Sequence, residues 1–267
     1  MIRTIVCGIA GRMGKRLTTL ITKSEDLRLA GATEVSGHPA IGQDMGAMIG
    51  TAPFGVTIVD DLESIIDNGD VVVDFTAPQA SLNNAKICAS KNKAMVVGTT
   101  GFTEAQLTEF KRSVAGIPCV FSPNYSVGVN LLFKLVEKVA SIIGEEFDIE
   151  IIEAHHRFKK DAPSGTAKRL AEVVGQVLSR DLERVLIHGR SGRTGERSRE
   201  EIGIHAIRAG DIVGEHKVFF GGMGESVELI HRVTSRDTFA RGALRAVRFV
   251  AEAQPGLYDM LDVLGLK

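Results

Sequence analysis

Between residues 2 and about 126, short β-branched runs alternate with amphipathic stretches. The runs at 2–7, 27–33, 55–59, 71–75, 94–97 and 119–121 are apolar and show little in/out alternation. Between the first two, Met13, Leu17, Leu20 and Ile21 recur at helical spacing. Strands without a polar face, separated by helices, predict a parallel sheet covered on both sides.

The pattern changes after residue 126. Leu131, Leu132, Leu135, Val136, Val139 and Ile142 predict a long helix over 127–144. Residues 147–155 alternate as a strand, with Phe147, Ile149 and Ile151 on one face and Asp148, Glu150 and Ile152 on the other. A helix near 166–178 is followed by three extended runs, 202–209, 213–220 and 226–234, with no helix between them. That succession predicts an antiparallel or mixed sheet and a second domain. A final amphipathic helix over 237–253 is placed to return to the first domain. The expected fold class is α/β: a Rossmann-type doubly wound parallel sheet with a second α+β domain on an open mixed sheet. The expected division is 1–126 plus 236–267 for the first domain and 127–235 for the second. The polar, glycine-rich stretch 189–200 reads as a mobile loop.

Composition narrows the function classes. A chain of 267 residues suits one large domain or two modest ones. A formal net charge of -1 argues against general attraction to nucleic acid or to an anionic membrane. The apolar N-terminal stretch is too short for a signal peptide, and no segment approaches the roughly 20 apolar residues that span a bilayer. Cys7, Cys88 and Cys119 are odd in number and fit neither a metal site nor a disulfide framework, so buried reduced thiols in a cytoplasmic protein are expected.

Directly after the first strand stands Gly8-Ile9-Ala10-Gly11-Arg12-Met13-Gly14. Glycines there let the backbone turn sharply and approach a pyrophosphate, whose charge meets the helix N-terminus. Alone, such a turn is also an ordinary tight turn before a helix. Glu34, twenty positions beyond Gly14 at the end of the second strand, stands where an acid accepts hydrogen bonds from the adenosine ribose. A carboxylate there repels a 2′-phosphate, and Val35 offers no offsetting charge; Arg12 is the one cation placed to reach across. NADH is therefore expected as the preferred cofactor, with NADPH still admissible.

Phe75-Thr76-Ala77-Pro78, Gly98-Thr99-Thr100-Gly101 and Ser122-Pro123-Asn124-Tyr125 each follow a strand. Carboxyl ends of parallel strands line the ligand crevice, so Phe75, Gly98, Thr99, Thr100, Ser122, Pro123, Asn124 and Tyr125 join the candidate cofactor contacts. Plain loop chemistry accounts for such segments equally well.

The richest stretch is 150–167, EIIEAHHRFKKDAPSGTA. Five basic side chains lie between 155 and 160, followed by a helix start. Ser164 reads as the N-cap, with the Gly165 and Thr166 amides at the positive end of the helix dipole. Lysine, histidines and helix amides together suit a substrate carboxylate, although a charge run by itself is usually a solvated loop. His155 and His156, adjacent on a strand, point to opposite faces, and no third ligand has suitable spacing; no metal is expected.

This stretch resembles the signature of the dihydrodipicolinate reductase family, the reductases of 4-hydroxy-tetrahydrodipicolinate in the diaminopimelate and lysine pathway. The resemblance runs from end to end, through G-x-x-G-R-M-G, V-D-F-T, V-G-T-T-G and S-V-G-V-N. It implies NAD(P)H-dependent reduction of a small cyclic dicarboxylate imine to tetrahydrodipicolinate, with hydride delivered to C4. It implies His155 as proton donor/acceptor, Lys159 as proton donor, and substrate contacts from His156, Ser164, Gly165, Thr166 and Arg236. It further implies a homotetramer assembled through the open sheet. Val35 departs from the family where some relatives carry arginine, and Ala10 departs within the turn.

Two other readings share the architecture. A semialdehyde dehydrogenase needs an exposed nucleophilic cysteine beside a histidine, which no cysteine context here suggests. A non-catalytic nucleotide sensor has no use for Lys159 or the P-S-G-T turn.

Overall fold

Strand β1 (Ile2–Cys7) is buried over its last four residues, as a strand covered on both faces must be. In the computed structural model, which describes residues 1–267, β1 lies between β2 (Leu27–Thr33) and the fourth strand. The remaining strands are β3 (Ile58–Val59), β4 (Val71–Asp74), β5 (Ala94–Val97), β6 (Pro118–Phe121), β7 (Asp148–His155), β8 (Leu186–His188), β9 (Ile202–Arg208), β10 (Gly214–Gly221), β11 (Ser226–Val233) and β12 (Gly256–Tyr258). The helices are α1 (Arg12–Ile21), α2 (Met45–Ile49), α3 (Pro78–Ser90), α4 (Glu104–Ser113), α5 (Val127–Ile143), α6 (Gly165–Val177), α7 (Leu182–Val185), α8 (Asp237–Val250) and α9 (Met260–Leu264). The chain divides into one unit of Met1–Val127 with Asp237–Lys267 and another of Gly128–Arg236.

The first unit is a Rossmann-type parallel sheet in the order β12-β6-β5-β4-β1-β2-β3. Strand order reverses between β1 and β4, and the carboxyl ends at that reversal are where such sheets bind ligands. One face carries Leu17 and Ile21 of α1 packed with Ala243, Leu244 and Val247 of α8. The other buries Leu82, Ala85 and Phe110 of α3 and α4. An Arg16–Asp237 ion pair adds a polar contact between α1 and the start of α8.

Two short elements differ from expectation. The run at 55–59 contributes only Ile58 and Val59 to the sheet. Upstream, the Phe54, Gly55 and Val56 amides donate to Asp44 at 3.1, 2.8 and 3.1 Å, so a side chain satisfies them in place of a neighbouring strand. Strand β12 extends the sheet beyond β6, although three residues after Pro255 are too few to show a period.

The second unit is a five-stranded mixed sheet in the order β11-β10-β7-β9-β8. β10 pairs antiparallel with β7 and β11, while β9 pairs parallel with β7 and β8. Ile149, Ile151, Val218 and Phe220 bury one face against Leu132 and Val136 of α5 and Leu170 and Val174 of α6. Of the apolar positions in α5, Leu131, Leu135 and Ile142 stay exposed, so the helix is apolar over more of its surface than it buries. On the other face, Ile152, Lys217 and Ile230 stand in one cross-strand row. The 189–200 loop, expected to be mobile, is tied to this sheet: Arg197 donates to Asp148 and Glu150 at 2.7 and 3.0 Å, and Arg190 to Glu150 and Glu201.

Candidate functional site

The glycine turn has the geometry its spacing suggests. Gly8 adopts φ +70°, and a Cβ there would stand 2.8 Å from Thr76 Cγ2. At Gly14 a Cβ would come within 2.6 Å of the Ile9 Cα, so the turn folds onto the helix only without side chains at both places. Helix α1 starts at Arg12 with Gly11 as N-cap and no side-chain cap, which leaves its first amides for a ligand. The Ile9 side chain is fully buried, so only its backbone is placed to meet a ligand. Glu34 follows β2 and lines a cavity of about 470 Å3 with Gly8, Gly11, Asp60, Phe75 and Thr76. That concavity against a glycine turn and a helix start fits a dinucleotide.

The strand-end loops are held from beneath by Asp74, a fully buried carboxylate. It accepts from the Thr76 amide at 2.9 Å, Thr76 Oγ1 at 2.6 Å and Asn84 Nδ2 at 2.8 Å. Ser81 Oγ lies 3.1 Å from Asp74 and 2.7 Å from Thr99 Oγ1, linking the loop after β4 to the Gly98-Thr99-Thr100 loop after β5. The Phe75 ring packs 5.2 Å from Tyr125. Tyr125 is itself buried, and its hydroxyl lies 2.8 Å from the Val97 carbonyl and 3.0 Å from that of Val120. Its side chain therefore joins β5 to β6, and only its backbone is left to meet a ligand. Burial pushes its phenol well up from the ordinary value. Ser122 Oγ donates to the Asn124 carbonyl at 3.0 Å, which folds the Ser122-Pro123-Asn124 segment into a tight turn.

In the second unit, the 150–167 segment is organised around Glu153, whose side chain is fully buried. His155, two residues on and hence on the same strand face, brings Nδ1 to 2.6 Å from Glu153 Oε2. Arg208 grips both carboxylate oxygens at 2.8 Å and also donates to the Asp161 carbonyl at 2.6 Å. The Ser164 amide donates to Glu153 Oε1 at 3.0 Å. Burial alone would raise the Glu153 pKa, but these hydrogen bonds from Arg208, His155 and Ser164 outweigh it and hold it below the ordinary value. His155 is lowered chiefly by burial, with the charges of Lys159 and Arg208 adding to that and Glu153 opposing it.

Lys159 Nζ pairs with Asp161 at 2.8 Å. Ser164 caps α6, its Oγ accepting from the Ala167 amide at 3.3 Å, and Gly165 and Thr166 open the helix at its positive end. His216 of β10 is buried with Nε2 3.0 Å from Ser164 Oγ, and its ring lies 5.2 Å from His155. Burial, together with His155, pushes His216 down to about 4, so it is neutral near pH 7. His156 follows the strand, its ring 6.3 Å from Phe158. Arg236 is the last residue of this unit.

Asp60, Asp74, Glu153, Arg208 and His216 are not among the residues singled out from the sequence, and of these only Glu153 carries a signal there. Strand alternation puts Glu153 on the same face as His155, a usable signal. Arg208 stands in register with His155 across β7 and β9, which only the topology reveals.

A parallel sheet with a glycine turn, an acid after its second strand and a separate basic, helix-capped segment is the build of a Rossmann-type, dinucleotide-binding protein. Residues 2–125 match the family model described as dihydrodipicolinate reductase, N-terminus, and residues 128–264 that of the C-terminus. The chain belongs to the dihydrodipicolinate reductase family. It is 51% identical to the 4-hydroxy-tetrahydrodipicolinate reductase of Syntrophobacter fumaroxidans and 49% identical to that of Geotalea daltonii, each over 100% of both chains. Among solved structures it is similar to the dipicolinate-bound dihydrodipicolinate reductase of Paenisporosarcina sp. TG-14, at 29% identity and a TM-score of 0.80 over 98% of each chain.

Proposed function

We propose that this chain reduces 4-hydroxy-tetrahydrodipicolinate, by way of dihydrodipicolinate, to tetrahydrodipicolinate in diaminopimelate and lysine biosynthesis. The observation that carries the reading is the joining of His155 and the capped start of α6 by one buried carboxylate, with Lys159 in the loop between them. A bound reduced nicotinamide supplies the hydride to C4 of the conjugated imine. The chain's own residues bind the dicarboxylate and complete the reduction with a proton. Gly165, Thr166, Ser164, His156 and Arg236 hold the carboxylates. A helix start contributes about 0.3–1 kcal/mol to an anion and each charge-assisted hydrogen bond about 1.5–3, so three such bonds near the upper end with the helix start reach the roughly 8 kcal/mol of micromolar binding. His155, its pKa lowered, is neutral at pH 7 and suits proton exchange, while the Lys159 ammonium supplies the proton.

The first unit binds the cofactor through Gly8 to Met13, Glu34, Phe75, Gly98 to Thr100 and Ser122 to Tyr125. NADH is preferred over NADPH, because Glu34 and Asp60 line the same cavity and both repel a 2′-phosphate. The second unit binds substrate and assembles a homotetramer through the sheet face bearing Ile152 and Ile230, the latter 43% exposed. The enzyme works in the cytoplasm, in keeping with three buried, unpaired cysteines; no helix is long and apolar enough to cross a membrane.

The test follows NADH and NADPH absorbance while freshly made 4-hydroxy-tetrahydrodipicolinate is supplied. Substrate-dependent oxidation, faster with NADH, is expected. Cofactor binding without oxidation would instead identify a nucleotide sensor, and light scattering reads the assembly.

A further inference from the structure

A carboxylate and a guanidinium removed from water are costly, and well-packed apolar residues in their place are often as stable. Glu153 is fully buried and the Arg208 side chain only 20% exposed, so their pairing needs a reason other than stability. The remaining bonds supply one. Besides Arg208, Glu153 binds the imidazole of His155 at 2.6 Å and the amide of Ser164, the cap of α6, at 3.0 Å. Arg208 in turn donates to the Asp161 carbonyl, in the loop that carries Lys159. Apart from the neighbouring Ile207 carbonyl, which also accepts from Arg208 at 2.8 Å, every group beyond the pair belongs to the segment assigned to substrate.

We propose that Glu153 and Arg208 are positioning residues of the proton-transfer site: together they hold His155 as its Nδ1–H tautomer and tie it at fixed distance to the helix start that binds the substrate carboxylate. The inference rests on the proton-exchange role given to His155 above. An ionised carboxylate only accepts, so the bond at Nδ1 requires the proton there and makes Nε2 the basic atom. Nε2 points along the side of β10 where Gly214 lies: a Cβ at that glycine would stand 3.2 Å away. The arrangement follows the general logic of a base oriented by a third group. It differs in that the orienting carboxylate is itself clamped by a bidentate arginine, a geometry that lysine does not reproduce.

Four charged or titratable groups face His155: Glu153 on its own strand, Lys159 in the following loop, Arg208 on β9 and His216 on β10. Their signs make the proposal testable. Glu153 favours the imidazolium, so Glu153→Gln moves the His155 limb of the rate profile to lower pH. Arg208 disfavours it, so Arg208→Gln moves the same limb to higher pH, and Arg208→Lys returns it toward the parent.

The experiment measures kcat and KM against pH for the full-length enzyme and these three variants, with NADH affinity as the check on folding. We expect kcat to fall about 10- to 100-fold in both glutamine variants, within or below the 10²–10⁴ that general acid–base catalysis supplies, with KM for NADH unchanged and limbs displaced in opposite directions. Loss of turnover with both limbs unmoved, or moved the same way, overturns the proposal and leaves a structural pair. Should Glu153→Gln not fold, the direction of the Arg208→Gln shift decides alone. His155→Ala separates the two levels. Full turnover in that variant overturns the reading of His155 itself, whereas its inactivity with unshifted Glu153 and Arg208 profiles overturns only this inference.

Discussion

Glu34 is bonded to the turn it faces: its Oε2 accepts the Ala10 amide at 2.8 Å, while Oε1 takes the amide of Val35. The acid thereby braces the glycine turn as well as lining the cavity beside it. Replacing Glu34 with Ala removes both effects. NADH should bind more weakly, because the turn loses its brace, and NADPH should gain relative to it. At a solvent-exposed edge the repulsion amounts to about 1 kcal/mol or more, so the ratio of the two KM values should change at least about fivefold. Asp60 remains to limit the gain. A parent enzyme that already favours NADPH would sink the electrostatic argument.

His155 and Lys159 carry the proton in the proposed reaction. Lys159→Ala or His155→Ala should each lower kcat by about 10²–10⁴-fold with NADH affinity intact. Because Lys159 is paired with Asp161, the Lys159→Ala variant also frees a carboxylate in the segment proposed to hold substrate, and KM for the dicarboxylate should rise with it. Steady-state kinetics on the two variants separates these effects. Near-full turnover in either would remove that residue from the chemistry.

The first unit was readable because its strands are apolar on both faces and its first helix keeps a clear period, so chain order alone implied the parallel sheet. Its short edges were not: β3 loses residues to Asp44, and β12 is three residues long. In the second unit, Phe147 to Ile152 alternated as expected, but the alternation then places Glu153 inward, and a charge on a buried face gives no sign of what it meets. Its partner Arg208 lies 55 residues on, and the register that joins them is set by two strands with a long excursion between. The residues assigned to chemistry were thus visible in the segment, whereas the groups that orient them were not.

Tyr125 counts among the candidate cofactor residues, yet its hydroxyl faces the Val97 and Val120 carbonyls. Tyr125→Phe keeps the packing on Phe75 and removes the hydroxyl's bonds to both carbonyls, while the Ser122 amide still donates to that of Val97 at 3.2 Å. Stability should fall by about 0.5–1.5 kcal/mol, the net contribution of a hydrogen bond whose acceptor is not left wholly unpaired. KM for NADH should stay within about twofold. Urea denaturation and cofactor titration test the two halves, and a large rise in KM with unchanged stability would put the hydroxyl on the cofactor instead.

Glu150 lies under the 189–200 loop, where Arg190, Arg197 and His205 donate to it. Burial raises its pKa, but these three partners prevail and lower it from 4.5 to about 2. A folded-state pKa below the unfolded one stabilises the protein above about pH 4.5, and that contribution disappears as the pH falls toward 2. The displacement corresponds to about 3 kcal/mol at most. Glu150→Gln should therefore be less stable than the parent at pH 7 and approach it in acid, with the gap closing between those two values. It should also expose the loop to proteolysis, since Arg190 and Arg197 both lose their shared anchor. Urea midpoints at pH 7, 4 and 2.5 measure the gap, and a difference that stays constant across them would mean that the ion-pair cluster does not contribute through its charge.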